Sequence, residues 1–345
     1  KLNVQMPDGL YFASDYVKED INLIKKLEEK EYTYKTSDGI YFNTSKMPDY
    51  GILWGGIRNK EELRTRIGEN LEKKNPEDFA LWKFYSKIGF ESKWGKGFPG
   101  WHIECSAISM KFLGEQFDIH TGGIDLIPTH HTNEIAQSES ATGKKPFVKF
   151  WMHSEFVDTG SEKMSKSKNN FLKLENLPQH NISSLTYRFW LLMASYRTKV
   201  NFVWEALQGA ETALKRLYNL YIELGKEMGN VHEEYKNKFT GYLNDDLDTP
   251  RALALFWDVM KDENMSNADK KATVLDFDKV LGLGFENLKK DEFPAKVIEI
   301  KEDRDDAKKK KDFKKADELR KKINDEGYDV RDTPTGSVLS GKFKK

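Results

Sequence analysis

The sequence predicts an α/β front half joined to an all-α rear half. Between 101 and 171, short apolar runs such as Phe117-Asp118-Ile119 and Phe150-Trp151-Met152 alternate with helical patterns, as α/β architecture requires. Beyond about 180 the helical period dominates. Leu207, Ala210, Leu214, Leu217 and Tyr221 recur at three and four, and Gly and Pro become scarce. The 345 residues are room for two or three domains, and 38% apolar content supplies their cores.

Taken in order, residues 14–33 carry a helical face of Val17, Ile21, Ile24 and Leu27. Ser37-Asp38-Gly39 reads as a turn and Ile40-Tyr41-Phe42 as a strand. Residues 43–100, rich in Gly, Pro and Trp, read as an irregular, loop-bearing insertion. The apolar–polar alternation from Trp101 to Glu104 suits the end of a strand, and 131–137 reads as helix. Residues 296–326 are densely charged, with sparse apolar positions at Val297, Ile300, Phe313, Ala316, Leu319 and Ile323. That pattern suggests a two-helix hairpin, with Gly327 where a helix terminator belongs.

Lys+Arg and Asp+Glu both number 56, which excludes a disordered acidic or basic tail protein but not a nucleic-acid partner. No run approaches the ~18 apolar residues of a membrane span, and no secretory signal is visible. A single cysteine, Cys105, makes an intrachain disulfide impossible, so a cytoplasmic protein is expected.

Five of the seven histidines fall between 102 and 153, around that cysteine. His130 and Glu134 are four apart in a helical segment, which places imidazole and carboxylate on one face. With the Cys105 thiolate they form a Zn²⁺-type donor set. Spacing alone favours the ordinary reading, because a lone Cys is usually a small buried hydrophobe and there is no C-x-x-C. Further on, Lys163-Met164-Ser165-Lys166-Ser167 follows Asp158-Thr159-Gly160-Ser161 in a loop pattern. Two lysines and two hydroxyls there can close over a triphosphate and neutralise a leaving pyrophosphate, or simply be solvated.

That pentapeptide resembles the second signature of class I aminoacyl-tRNA synthetases. Gly100-Trp101-His102-Ile103-Glu104-Cys105-Ser106 is similar to the sequence of the cysteinyl-tRNA synthetase family. So are Asp118-Ile119-His120, Gly122-Gly123, Asp125-Leu126, His130-His131 and Asn133 through Ser138. Asp49-Tyr50-Gly51 and 79–83 resemble the family's connective region, and Tyr187-Arg188 the segment after the signature loop. Arg304, Ala307, Ala316-Asp317 and Asp332-Thr333-Pro334 resemble its carboxy-terminal helices.

The resemblance implies an incomplete class I Rossmann-like catalytic domain, an all-α helical bundle and a carboxy-terminal helical tail. The expected boundaries are 1–171 for the catalytic part (insertion about 35–100), 172–205 for a junction, 206–290 for the bundle and 291–345 for a tRNA-binding helical hairpin. It implies zinc held by Cys105, His130 and Glu134, three of the family's four ligand positions. It places Trp101 beside the amino acid, Gly123 and Asp125 by the adenylate ribose, and Lys163 and Lys166 as catalytic groups, with Lys166 at the ATP phosphates. The implied activity is cysteine–tRNA ligation, with L-cysteine, ATP with Mg²⁺, and tRNA(Cys) as partners of a monomer. A cysteine–amino sugar ligase and a catalytically silent tRNA-binding remnant are the alternatives. The family's first signature and its other zinc cysteine are absent, so a larger enzyme cut at the front is expected. Thr121 stands where the family has glycine, which raises a question of backbone fit.

Overall fold

Two units emerge from the computed structural model, which describes residues 1–55, 70–159, 173–288, 293–333 and 336–341. The front unit is Gln5–Asp158 with Tyr196–Val200, and the rear unit is Lys1–Val4, Thr159–Ser195 and Asn201–Lys345.

In the front unit, helix α1 (Val17–Glu29) turns Val17, Leu23, Ile24 and Leu27 inward, close to the face read from the sequence. Strands β1 (Thr33–Thr36) and β2 (Gly39–Phe42) form a hairpin. Strands β3 (Phe79–Phe84) and β4 (Gly97–Pro99) extend it to an antiparallel sheet in the order β1-β2-β3-β4. The stretch 43–100 is therefore less irregular than expected. Its strands pair across long intervening segments, and such non-local pairing leaves no local period. Phe42, Leu81 and Trp82 of this sheet are fully buried against Ile24, Leu27 and Ile103.

Helix α2 (Trp101–Leu113) corrects the strand end expected at 101–104. The longer window explains why: Ile103, Ser106, Ala107 and Met110 recur at three and four, and the first three are buried. Strands β5 (Phe117–Gly123) and β6 (Val148–Ser154) run parallel, pairing His120 with Trp151 and Gly122 with His153. The crossover between them holds a π-helical turn, Ile127–His131, running directly into helix α3 (Thr132–Thr142). Thr121 lies in the β5 ladder opposite Met152, in extended backbone that threonine suits, so its substitution for glycine carries no strain.

The rear unit is helical as its period predicts: α4 (Ser184–Leu192), α5 (Trp204–Glu223), α6 (Glu233–Asn244), α7 (Thr249–Lys261) and α8 (Asn267–Leu281). Leu207, Ala210, Leu214 and Leu217 are buried. Arg188 fastens three carbonyls, those of Leu281 (2.6 Å), Leu2 (3.0 Å) and Asn3 (3.1 Å). Helices α9 (Ala295–Lys309) and α10 (Phe313–Asp325) make the expected hairpin, and Gly327 ends it at φ +87°. Beyond them an antiparallel strand pair follows, Tyr328–Thr333 with Gly336–Gly341. Asp332 is thus on a strand rather than a helix. It receives two hydrogen bonds, each 3.0 Å, from the buried Arg304 of α9. The sequence conceals this because a buried arginine between charged neighbours looks like solvated helix surface. Among the described residues no helix is long and apolar enough to cross a membrane.

Candidate metal centre

Cys105 projects from the second turn of α2, while His130 lies in the π-helical turn and Glu134 in the first turn of α3. The three are brought together: their ligand atoms all lie within 4.8 Å of one another. Two hydrogen bonds from Gln137 of α3 set the spacing of the helices, one to Ser106 Oγ (2.6 Å) and one to the His102 carbonyl (2.5 Å). Ser138 adds a third to Ser106 Oγ at 2.9 Å. The π-helical turn widens the backbone so that both His130 and His131 face the interior, where they are buried.

Glu134 is the centre of the cluster. It is fully buried, with His130 Nε2 at 3.0 Å and His120 Nε2 at 3.5 Å from Oε1. Neither approach has hydrogen-bond alignment, so both carboxylate oxygens lack a donor among the described residues. Burial opposes ionisation of Glu134, but His120 and His130 outweigh it and hold the group below the usual carboxylate value. Burial, with Glu134, Glu104 and Asp20 adding to it, pushes the Cys105 thiol up to about 12. A buried thiol that Glu134 helps to keep protonated, beside a carboxylate with no donor among the described residues, forms a donor set that a cation would satisfy.

Around this set stand histidines that spacing did not single out. His102 Nδ1 lies 2.9 Å from His130 Nδ1, and His131 Nδ1 lies 2.7 Å from His153 Nε2. Burial pushes both His102 and His131 down to about 3, so both are neutral at pH 7. His120, His131 and Glu134 form a second group within the same 4.8 Å limit. The clustering of histidines along the chain was the available signal. The parallel register that aligns His120 and His153 was not available. Gly122 is essential to that alignment, because a Cβ there would sit 2.6 Å from His131 Cε1 and 2.7 Å from Leu126 Cδ1.

Trp101 is 60% exposed and its ring lies 4.2 Å from that of His130, centroid to centroid. Gly123 ends β5, and Asp125 follows in the short helical turn Ile124–Leu126. Lys163 and Lys166 lie outside the described residues.

Known proteins match this chain over most of its length. The family described as tRNA synthetases class I (C) catalytic domain matches residues 1–212. Cysteine–tRNA ligase 1 of Burkholderia lata is 41% identical over 99% of this chain and 73% of its own length. The cysteine–tRNA ligase of Treponema denticola is 37% identical over 96% of this chain and 75% of its own. Among solved structures, one described as an arginyl tRNA synthetase from Campylobacter jejuni aligns at 14% identity and TM-score 0.46, over 83% of this chain and 63% of that one. The chain belongs to the cysteine–tRNA ligase family of class I aminoacyl-tRNA synthetases.

Proposed function

We propose that this chain carries cysteine–tRNA ligation: ATP-dependent activation of L-cysteine to cysteinyl adenylate, then transfer to the terminal ribose of tRNA(Cys). Mg²⁺ would accompany the ATP. The observation that carries this reading is the convergence of Cys105, His130 and Glu134 on one buried point in a chain of this family. Zn²⁺ held by those three groups would supply a soft Lewis acid that distinguishes a thiol from a hydroxyl. Such discrimination is needed because cysteine and serine are near-isosteres, which a hydrophobic pocket separates poorly.

The protein's own contribution is orientation. For His130 Nε2 to present a lone pair toward Glu134 and Cys105, its Nδ1 must donate to His102 Nδ1. The neutral His102 is suited to accept. Trp101 walls the site beside His130, where the resemblance puts the amino acid. Gly123 and Asp125 are the expected ribose contacts. Lys163 and Lys166, by the resemblance, would supply ammonium groups for the phosphates, where charge develops in the transition state.

The test is ATP–pyrophosphate exchange on zinc-loaded protein. Cysteine should support exchange and serine should not. Failure of cysteine with zinc bound would end the assignment. Co²⁺ substitution gives a separate readout: a thiolate-to-metal charge-transfer band that Cys105→Ser abolishes.

A further inference from the structure

Glu134 stands between two sets of donors, and only one of them contains the cysteine. On one side are Cys105 and His130. On the other are His120 and His131, whose ligand atoms also lie with a Glu134 oxygen inside a 4.8 Å limit. Both sets meet the same carboxylate oxygen: His130 Nε2 is 3.0 Å and His120 Nε2 is 3.5 Å from Oε1. Each set also has a supporting histidine behind it. His102 Nδ1 lies 2.9 Å from His130 Nδ1, and His153 Nε2 lies 2.7 Å from His131 Nδ1. When His131 Nδ1–H donates to His153, its Nε2 keeps a free lone pair, the tautomer that metal ligation requires.

The second set is enclosed and shaped. His120 comes from β5, His131 from the π-helical turn and Glu134 from α3, so separate elements converge on it. The Trp151 ring of β6 closes one side, 4.9 Å from the His120 ring and 4.8 Å from the His131 ring. Gly122 leaves room at the ligating edge, because a Cβ there would sit 3.0 Å from His131 Nε2. His131 and Glu134 are buried, and both Glu134 oxygens lack a donor among the described residues. Two imidazoles and one carboxylate are the donors of open zinc sites, and they suit Zn²⁺, Co²⁺ or Ni²⁺ without sulfur.

We propose that His120, His131 and Glu134 form a second position for a divalent transition-metal ion, with His153 as its positioning residue. Two dications on one buried oxygen would repel strongly, so a single ion occupies one position or the other. An ion that leaves the Cys105 sulfur therefore stays on the same carboxylate. The proposal goes beyond the ligase reading and does not depend on which reaction the centre serves.

The experiment titrates Co²⁺ into the metal-free whole chain and reads its visible bands. The wild type should take one ion per chain and show a thiolate charge-transfer band. Cys105→Ala should still take one ion, with that band gone. In this background the two sets separate. Adding His130→Gln should leave the affinity nearly unchanged. Adding His153→Gln should cost about ten- to a hundredfold and shift the d–d bands, and adding His131→Gln should cost more. His120→Gln should act like His131→Gln, and it decides the matter if the His131 variant does not fold, because it lies on a different element. The reverse order, with His130→Gln abolishing binding and His131→Gln harmless, overturns the proposal. A second ion in the wild type also overturns it, because the positions would then not share Glu134. If folded Cys105→Ala binds no Co²⁺ while the wild type keeps cysteine-dependent exchange, this assignment fails and the ligase reading stands.

Discussion

Asp20 invites the sharpest test of the physical reading. It sits on the inner face of α1, fully buried, with neither carboxylate oxygen partnered among the described residues. Burial pushes it from 3.8 up to about 8, with Glu104 and Glu19 adding to the shift. A carboxyl raised in the folded state binds a proton that the unfolded chain has lost. Stability is therefore greatest below the unfolded value and falls as pH rises through the window from about 4 to about 8. At roughly 1.4 kcal/mol per unit, the full penalty above pH 8 is on the order of 6 kcal/mol. Asp20→Asn keeps the shape and removes the titration. Urea unfolding of both proteins, followed by tryptophan fluorescence from pH 5 to 9, should show the variant's relative stability growing by about 1 kcal/mol per unit and levelling off near pH 8. A difference that stays flat across this range would refute the buried, unpaired carboxyl.

Other outcomes follow from the same geometry. In metal-free protein the Cys105 thiol, at about 12 against an ordinary 9.0, should be alkylated at pH 8 roughly a thousandfold more slowly than an unperturbed thiol. A rate like that of a free cysteine peptide would contradict this. Gly122→Ala should cost about 1–3 kcal/mol, read as a fall in Tm, because the new Cβ meets the His131 ring. Asp332→Asn removes the charged partner of the buried Arg304 and should cost about 2 kcal/mol, seen as faster amide exchange across Tyr328–Thr333. Its pH sign is opposite to that of Asp20. Arg304 and Lys308 hold Asp332 well below the usual carboxylate range, so its contribution is present at neutral pH and lost as pH falls.

Much of the rear unit was legible because helical burial is local. A period of three and four over 207–221 reports which face is inside whatever the partner. The donor identities at Cys105, His130 and Glu134 were legible too, but only the resemblance lifted them above an ordinary buried thiol and polar surface. What remained hidden shares one cause. The β3 and β4 strands, the β5–β6 register, the Arg304–Asp332 pair and the burial of Asp20 all depend on residues far apart in sequence. Even α2 was misread where four residues of alternation outweighed a longer helical period.

By itself, then, the sequence determined the α/β-then-helical order, the family and the chemical types of the site. Only the tertiary structure decided that Glu134 lies between two histidines and Asp20 on the inner face of α1, each with no donor among the described residues. Local propensity acts over a few residues. The energy of a buried charge depends on whichever distant groups the fold brings against it.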